Sequence, residues 1–184
     1  QPEDWEGVTM ENGRVVKLRL FDFGLTGAVP AEIGRLSALR GLDLSDNQLT
    51  SLPAEIGQLT SLTWWLNLSD NQLTSLPAEI GQLTSLTKLY LDGNRLTSLP
   101  AEIGQLTSLT VLDLRLNPLT SLPAEVGQLA SLEQLVLVDN ELTSLPAEIG
   151  QLTSLEVLWL NFNKLTSVPA AIRELRAAGC YVHG

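Results

Sequence analysis

The feature that most constrains this 184-residue chain is an internal repeat of 23 to 24 residues. The segment LTSLPAEIGQLTSL begins at Leu49, Leu73, Leu96 and Leu142, and a near copy begins at Leu119. An asparagine recurs in phase with these segments, at Asn47, Asn71, Asn94, Asn117, Asn140 and Asn163. A fixed period of this size is typical of proteins that stack one small unit on the next. The chain therefore divides into seven units, over residues 15–38, 39–61, 62–85, 86–108, 109–131, 132–154 and an incomplete one from 155.

Each unit combines a strand pattern with a short helical pattern. In Lys88 to Asp92 the leucines alternate with variable residues, which predicts a short strand with one apolar face. The later segment Pro100 to Leu106 is predicted to form about one helical or 3₁₀ turn, with the proline at its first helical position. One unit cannot bury its leucines alone, so the units must stack and place their strands side by side in one parallel sheet.

The repeated pattern L-x-x-L-x-L-x-x-N-x-L-T-S-L-P-A-E-I-G-Q-L-T-S resembles that of leucine-rich repeat proteins, over about residues 15–170. Its later half is similar to the Ras-associated and scaffold-type intracellular repeats and to related bacterial repeats. The first unit instead resembles plant-type repeats at Leu25 to Pro30, and Trp5 to Val8 resembles a plant-type N-terminal cap. The resemblance implies an α/β fold, a horseshoe-shaped solenoid with a parallel β-sheet on its concave side and short helical or 3₁₀ turns on its convex side.

We expect a single domain over residues 1–184, with an N-terminal cap at 1–14 and seven repeats at 15–169. Residues 170–184 are predicted to form a C-terminal capping helix and a tail, because Ala170 to Ala178 has the pattern of a polar-faced helix. The asparagine of each unit follows the strand, where the chain bends. We expect its amide to satisfy backbone groups of that turn.

The third unit contains one residue too many between its leucines, in Leu62-Thr63-Trp64-Trp65-Leu66. An extra residue in a strand predicts a bulge that re-aims one of the two indoles. Bulges are common beside functional positions, and a harmless insertion is the equal alternative.

The outward-facing strand positions are where the repeats differ most from one another. The convex half SLPAEIGQLTS recurs almost unchanged, whereas the residues between the strand leucines change from unit to unit. A structural surface does not require such variation, but a surface fitted to a partner does, and aromatic side chains at these positions would anchor an interface. The predicted partner-binding residues are Lys17, Arg19, Phe21, Asp43, Trp65, Asn67, Lys88, Tyr90, Asp92, Asp113, Arg115, Gln134, Val136, Trp159 and Asn161.

Composition excludes several classes of function. With 21 acidic and 11 basic residues the formal charge is −10, which disfavours nucleic-acid binding. The single cysteine, Cys180, and the single histidine, His183, exclude zinc sites with several cysteines and most histidine-based catalytic triads. We therefore expect a non-enzymatic monomer that binds a protein or peptide, without a cofactor, a metal ion, nucleic acid or insertion into a membrane.

Two alternative functions and two locations stay open at this point. The stacked Thr-Ser pairs, from Thr50 to Thr166, would suit an ice-binding or structural solenoid, and the array would also suit a recognition arm cut from a larger signalling protein. The cap lacks the cysteines of the plant-type cap, which favours a reducing, cytoplasmic location. The chain begins at Gln1 rather than Met, so a secreted protein whose signal peptide was removed is the alternative to the favoured cytoplasmic location.

Overall fold

The computed structural model describes residues 6–167 and 170–184. The strands in these residues are β1 (Val8–Glu11), β2 (Arg14–Arg19), β3 (Thr26–Ala28), β4 (Gly41–Asp43), β5 (Gln48–Ser51), β6 (Trp65–Asn67), β7 (Lys88–Tyr90), β8 (Val111–Asp113), β9 (Gln134–Val136), β10 (Val157–Trp159) and β11 (Tyr181–His183). The helices are the 3₁₀ helices Ala31–Arg35, Ala54–Gln58, Ala78–Gln82, Ala101–Gln105, Ala124–Gln128 and Ala147–Gln151, and the α-helix α1 (Ala170–Ala177). Within this part of the chain, no helix is both long enough and apolar enough to cross a membrane.

Most of the strands form one sheet, in the order β1-β2-β4-β6-β7-β8-β9-β10-β11, and β3 pairs separately with β5. From β2 onward the neighbours are parallel and in register, so that the central leucines meet, as Leu42 with Leu66 and Leu66 with Leu89. This arrangement confirms the predicted parallel sheet with short 3₁₀ turns repeating across from it.

The core is a column of aliphatic side chains that continues from unit to unit. In the fourth unit Leu89, Leu91, Leu96, Ile103 and Leu106 have no exposed surface. Because side chains alternate along a strand, the residues on either side of each central leucine must project from the opposite face of the sheet. The leucine positions therefore determine which residues can face a partner.

The 3₁₀ helices begin one residue later than predicted, so the placement of proline at the first helical position was wrong. Pro100 has an extended backbone (φ −68°, ψ 149°), and Ala101–Gln105 follows as the 3₁₀ helix. The carbonyl oxygen of Pro100 accepts the first hydrogen bond of the turn, from the N–H of Ile103 at 3.1 Å. Proline therefore occupies the cap position, where its fixed φ is compatible with the extended entry of the chain.

The ladder asparagines, which are the six listed above at the strand-to-turn bend, connect successive units. Asn94 Nδ2 donates to the carbonyl oxygen of Leu91 in its own unit at 3.0 Å and to that of Leu68 in the preceding unit at 2.9 Å. Its Oδ1 accepts the N–H of Leu73, also in the preceding unit, at 3.0 Å. The amide thus satisfies its own turn, as expected, and in addition links two units. The same pattern recurs at Asn47, Asn71, Asn117, Asn140 and Asn163.

The two ends of the array are closed by different elements. At the N-terminal end β1 pairs antiparallel with β2, whereas Trp5 of the predicted cap and residues 168–169 of the last predicted repeat lie outside the described residues. At the other end α1 buries Ile172 and Leu175 against the core. The residues expected to form a tail instead form β11, which pairs parallel with β10 so that His183 lies beside Trp159.

Candidate recognition surface

The predicted site residues lie on the sheet face that is opposite to the core, on the strands or within two residues of them. We call this surface the concave face, because it contains cavities that each span several strands. Its exposed members are Arg19, Phe21, Lys88, Arg115, Gln134 and Trp159. Its half-buried members are Lys17, Asp43, Trp65, Asn67, Tyr90, Asp92, Val136 and Asn161, and its buried member is Asp113.

One cavity of about 520 Å³, which we call the central cavity, extends over the four strands β7 to β10. Lys88, Tyr90, Asp113 and Trp159, which come from three units of the sequence, all line it. Its remaining lining residues are Val111, Arg115, Gln134, Val136 and Val138. The cavity therefore combines two aromatic side chains, a valine-rich floor and two cationic groups, a mixture that suits polypeptide better than a purely apolar ligand.

Asp113 lies beneath Arg115 at the floor of the central cavity. It is 3% exposed, and its two carboxylate oxygens accept hydrogen bonds from Arg115 Nη2 at 2.5 Å and Nε at 3.2 Å. Burial raises the pKa of the Asp113 carboxyl, and the hydrogen bonds from Arg115 only partly offset this. The Arg115 side chain remains half-exposed. We therefore infer that Asp113 orients the guanidinium, while Arg115 is the group of the pair that a partner can reach.

Three aspartates that follow the carboxyl ends of β4, β6 and β7 form an acidic edge, which consists of Asp46, Asp70 and Asp92. Ser69 Oγ donates to Asp92 Oδ1 at 2.5 Å. The pKa of Asp70 is raised by burial and by the negative charges of Asp92 and Asp46. Among the described residues, no three His, Cys, Asp or Glu side chains are arranged to hold a metal ion.

The extra residue of the third unit alters the sheet between β6 and β7. Trp65 pairs with Gly41 on one side, but on the other side the pairing with β7 begins only at Leu66. The hydroxyl of Thr87 donates to the carbonyl oxygens of Thr63 at 2.8 Å and Trp64 at 2.6 Å. The additional backbone carbonyl is therefore satisfied, and the strand contains the extra residue as a bulge does.

Trp64 and Trp65, together with Lys17, Arg19 and Arg40, form a cluster that we call the indole platform. The two rings stack with centroids 5.7 Å apart and an angle of 21° between their planes. Lys17 Nζ lies 5.5 Å and 5.4 Å from the two centroids, Arg19 Cζ lies 5.5 Å from Trp65, and Arg40 Cζ lies 5.8 Å from Trp64. The predicted site residues did not include Trp64 or Arg40. The insertion in the third unit pointed to Trp64, but no feature of the sequence pointed to Arg40.

The concave face also extends further toward the C-terminus than predicted. The ring of His183 stacks on that of Trp159, with centroids 3.9 Å apart and planes 6° apart, and Tyr181 is exposed beside it. The sequence did not predict this strand, because the alternation in Tyr181-Val182-His183 is too short to distinguish a strand from a tail. Cys180 belongs to the core, and burial raises the pKa of its thiol. Because the imidazole of His183 stacks on Trp159 instead, the thiol and the imidazole lie on different sides of the strand.

The threonines of the repeated Thr-Ser pairs lie outside the concave face. They precede the 3₁₀ helices or, in the last unit, α1, and they are exposed at Thr50, Thr74, Thr97, Thr120, Thr143 and Thr166. Exposure is common to solvated turns, so these rows do not by themselves indicate a ligand.

Comparison with known proteins agrees with this architecture. A family model described as a leucine-rich repeat region matches residues 9–93 and 89–178. Over 62 residues, 32% of this chain and 6% of the relative, the sequence is 44% identical to the LRR receptor-like serine/threonine-protein kinase EFR of Arabidopsis thaliana.

Two solved structures are also similar. The crystal structure of PEPR1-AtPEP1 is 32% identical with a TM-score of 0.88, over 100% of this chain and 27% of that chain. The plant peptide hormone receptor RGFR1 in complex with RGF2 is 30% identical with a TM-score of 0.72, over 98% and 36% of the two chains.

The chain thus spans only a small part of each of these proteins, between 6% and 36% of their length. The family match, in contrast, covers nearly the whole of this chain. The prediction made from the repeated leucines and asparagines is confirmed: the chain belongs to the leucine-rich repeat family.

Proposed function

We propose that this chain is a non-enzymatic recognition module that binds a protein or peptide partner on its concave face. The observation that carries the proposal is the central cavity, in which variable side chains from four strands line one space of about 520 Å³. The similar receptors support it, since RGFR1 is solved in complex with RGF2 and is a plant peptide hormone receptor.

The dimensions of the central cavity suit a short extended segment. Adjacent strands lie about 4.8 Å apart, so the distance from β7 to β10 is about 14 Å. An extended chain covers roughly 3.3 Å per residue, which means that four or five residues of a partner would cross the cavity. Tyr90 and Trp159 would contact that segment from either end, and Arg115 would supply hydrogen-bond donors between them.

The experiment that tests the proposal uses a random dodecapeptide library, displayed on phage, as the probe. We expect peptides selected on the unmodified protein to lose affinity when Tyr90→Ala and Trp159→Ala are combined. Truncation of one interface anchor costs about 2 kcal/mol, or roughly a 30-fold weakening. Phe162→Ala is the matched control, because this aromatic is 78% exposed and does not line the central cavity.

The outcomes separate the proposal from its alternative. Selected peptides that bind the double variant as tightly as the unmodified protein would contradict the proposal. Thermal hysteresis in freezing solutions that survives both substitutions would support the ice-binding alternative instead. Thermal unfolding of each variant shows that any loss of binding is not a loss of fold.

A further inference from the structure

We propose that the indole platform is a second subsite, which binds an acidic segment of the partner that also carries an apolar side chain. This inference rests on the proposed function, because the same partner would occupy the central cavity. The two sites are continuous: Lys88 lines both the central cavity and a cavity of about 470 Å³ over Trp64 and Trp65. A third cavity of about 270 Å³, lined by Trp65, Lys88 and Tyr90 among others, lies between them.

The charge of the platform is opposite to that of the molecule. The chain has a net charge of −10, yet Lys17 lies within 6 Å of both indole rings and Arg19 within 6 Å of Trp65. Arg40, which lies near Trp64, is paired with Glu11 at 3.0 Å, so Lys17 and Arg19 are the cations that a ligand can use. Cations held over aromatic faces are attracted by the rings and lose freedom before any ligand arrives. The platform therefore presents fixed positive charges beside a large apolar surface, and a carboxylate next to an apolar side chain matches both.

The neighbouring strand β4 makes room for the platform at Gly41. A Cβ added at Gly41 would lie 2.9 Å from the Trp65 ring, so the indole lies flat over this strand only because residue 41 has no side chain. On the opposite side, the Thr87 hydroxyl satisfies the carbonyl oxygen of Trp64. That bond uses a threonine of the repeat, since the Thr110 hydroxyl donates to the carbonyl oxygen of Thr87 in the same way at 3.1 Å. Gly41 is therefore the adaptation that belongs to the platform.

The acidic edge gives the subsite a direction. Lys17 and Trp65 lie in register with Gly41, the first residue of β4, whereas Asp46, Asp70 and Asp92 follow the carboxyl ends of β4, β6 and β7. A partner carboxylate is attracted to the first group and repelled by the second. The acidic segment is therefore restricted to the amino side of the strands, which orients the partner across the concave face.

The test again uses the displayed dodecapeptide library, now comparing the composition of the selected peptides. We expect peptides rich in Asp or Glu together with an aromatic residue or leucine. Two changes should weaken their binding about tenfold or more: deletion of Trp64, which restores the 23-residue spacing, and Lys17→Glu. Raising the salt from about 0.05 to 0.5 M should weaken it further. Phe162→Ala should leave it unchanged, and circular dichroism would check the fold of each variant.

The results distinguish this inference from the function on which it rests. Peptides without an acidic bias, or insensitive to both changes, would overturn the inference. If their binding nevertheless depends on Tyr90 and Trp159, the proposed function stands without the second subsite. If binding depends on none of these residues, both proposals fail. If the Trp64 deletion does not fold, Trp64→Ser with Lys17→Glu gives the same comparison.

Discussion

At the scale of single residues, one backbone position shows how the array treats different side chains. The residue before each ladder asparagine has a positive φ, for example 50° at Asp70, 64° at Gly93, 56° at Leu116 and 58° at Phe162. Aspartate and glycine tolerate this left-handed conformation, whereas larger side chains adopt it at a cost of about 1–2 kcal/mol. Leu116 and Phe162 are also exposed, at 52% and 78%. In these two turns the side chain therefore fits the left-handed backbone less well than the aspartate or glycine of the other units does.

Asp70 allows the electrostatic cost of the acidic edge to be measured. Its pKa is raised by burial and by Asp92 and Asp46, so its charge opposes folding at neutral pH. We expect Asp70→Asn to stabilise the protein at pH 7 by roughly 0.2–1 kcal/mol, since the site is solvent-screened and asparagine also accepts the left-handed backbone. Urea unfolding at several pH values measures this difference.

The dependence on pH follows from the sign of that shift. A carboxyl with a raised folded-state pKa takes up its proton earlier in the folded state than in the unfolded state, so acidification favours folding through this group. The advantage of Asp70→Asn should therefore shrink as the pH falls through the folded-state pKa, and also at high salt. Asp139→Asn is the control, because Leu116 and Phe162 occupy the same position in its neighbouring units. An equal gain in that control would refute the electrostatic explanation.

The sequence predicted the hydrogen bonds of each ladder asparagine within its own turn, but not those to the preceding unit. A buried amide at a chain reversal implies that backbone groups are its partners. Which groups they are depends on how closely the next unit packs. The hydrogen bond from Asn94 to the carbonyl oxygen of Leu68 crosses 26 residues, and no pattern within one unit specifies it.

At the scale of elements, a 3₁₀ helix that is followed by another packs so closely against it that its glycine cannot carry a side chain. A Cβ on Gly104 would lie 2.4 Å from the carbonyl oxygen of Glu125 in the next unit, and backbone cannot move away as a side-chain end can. We expect Gly104→Ala to destabilise the protein by about 1–3 kcal/mol. Equilibrium unfolding in urea measures this loss.

Gly150→Ala is the matched control for that prediction. In the last 3₁₀ helix an added Cβ would meet the Glu174 carboxylate at 3.0 Å and the Ala171 Cβ at 3.4 Å, because α1 packs there instead of another unit. The Glu174 side chain can move, and alanine lowers the entropy of the unfolded chain, so we expect a change near zero or a gain below about 1 kcal/mol. If both substitutions lowered the free energy of unfolding equally, helix propensity rather than packing would account for the effect.

The elements differ in how far the sequence predicted them. The repeated strands and turns were predictable, because six phased copies of one pattern exclude any arrangement other than stacking. The β11 strand was not, since Tyr181-Val182-His183 has no leucine and follows a helix rather than a repeat. Only the free hydrogen-bonding edge of β10 makes it a strand.

At the scale of the whole molecule, stability should depend on the number of units. Deletion of residues 86–108 joins Ser85 to Leu109 and so reproduces the natural Ser85-Leu86 junction. We expect a folded, shorter array with a lower melting temperature, because each unit stabilises only its neighbours. The dependence of the unfolding free energy on urea should fall by roughly one-eighth, in proportion to the surface removed.

Circular dichroism during urea and thermal unfolding provides the measurement. Loss of folded structure on this deletion would contradict the picture of interchangeable units. The deletion also removes Lys88 and Tyr90, so peptides selected on the full chain should no longer bind.

The candidate site was predictable in part at this scale. A constant period brings Lys88, Tyr90, Asp113 and Trp159 onto one face, because the register cannot shift between units of equal length. The indole platform was not predictable, since the ring positions depend on how the sheet accommodates one extra residue.

The backward reach of the ladder asparagines has a consequence for biosynthesis. The N–H of Leu25 is satisfied by Asn47, which is 22 residues later in the chain, and that of Leu73 by Asn94, 21 residues later. During translation the newest unit at the ribosome exit therefore lacks the amide that completes it. Each unit closes only when its successor emerges, so folding follows elongation one unit behind.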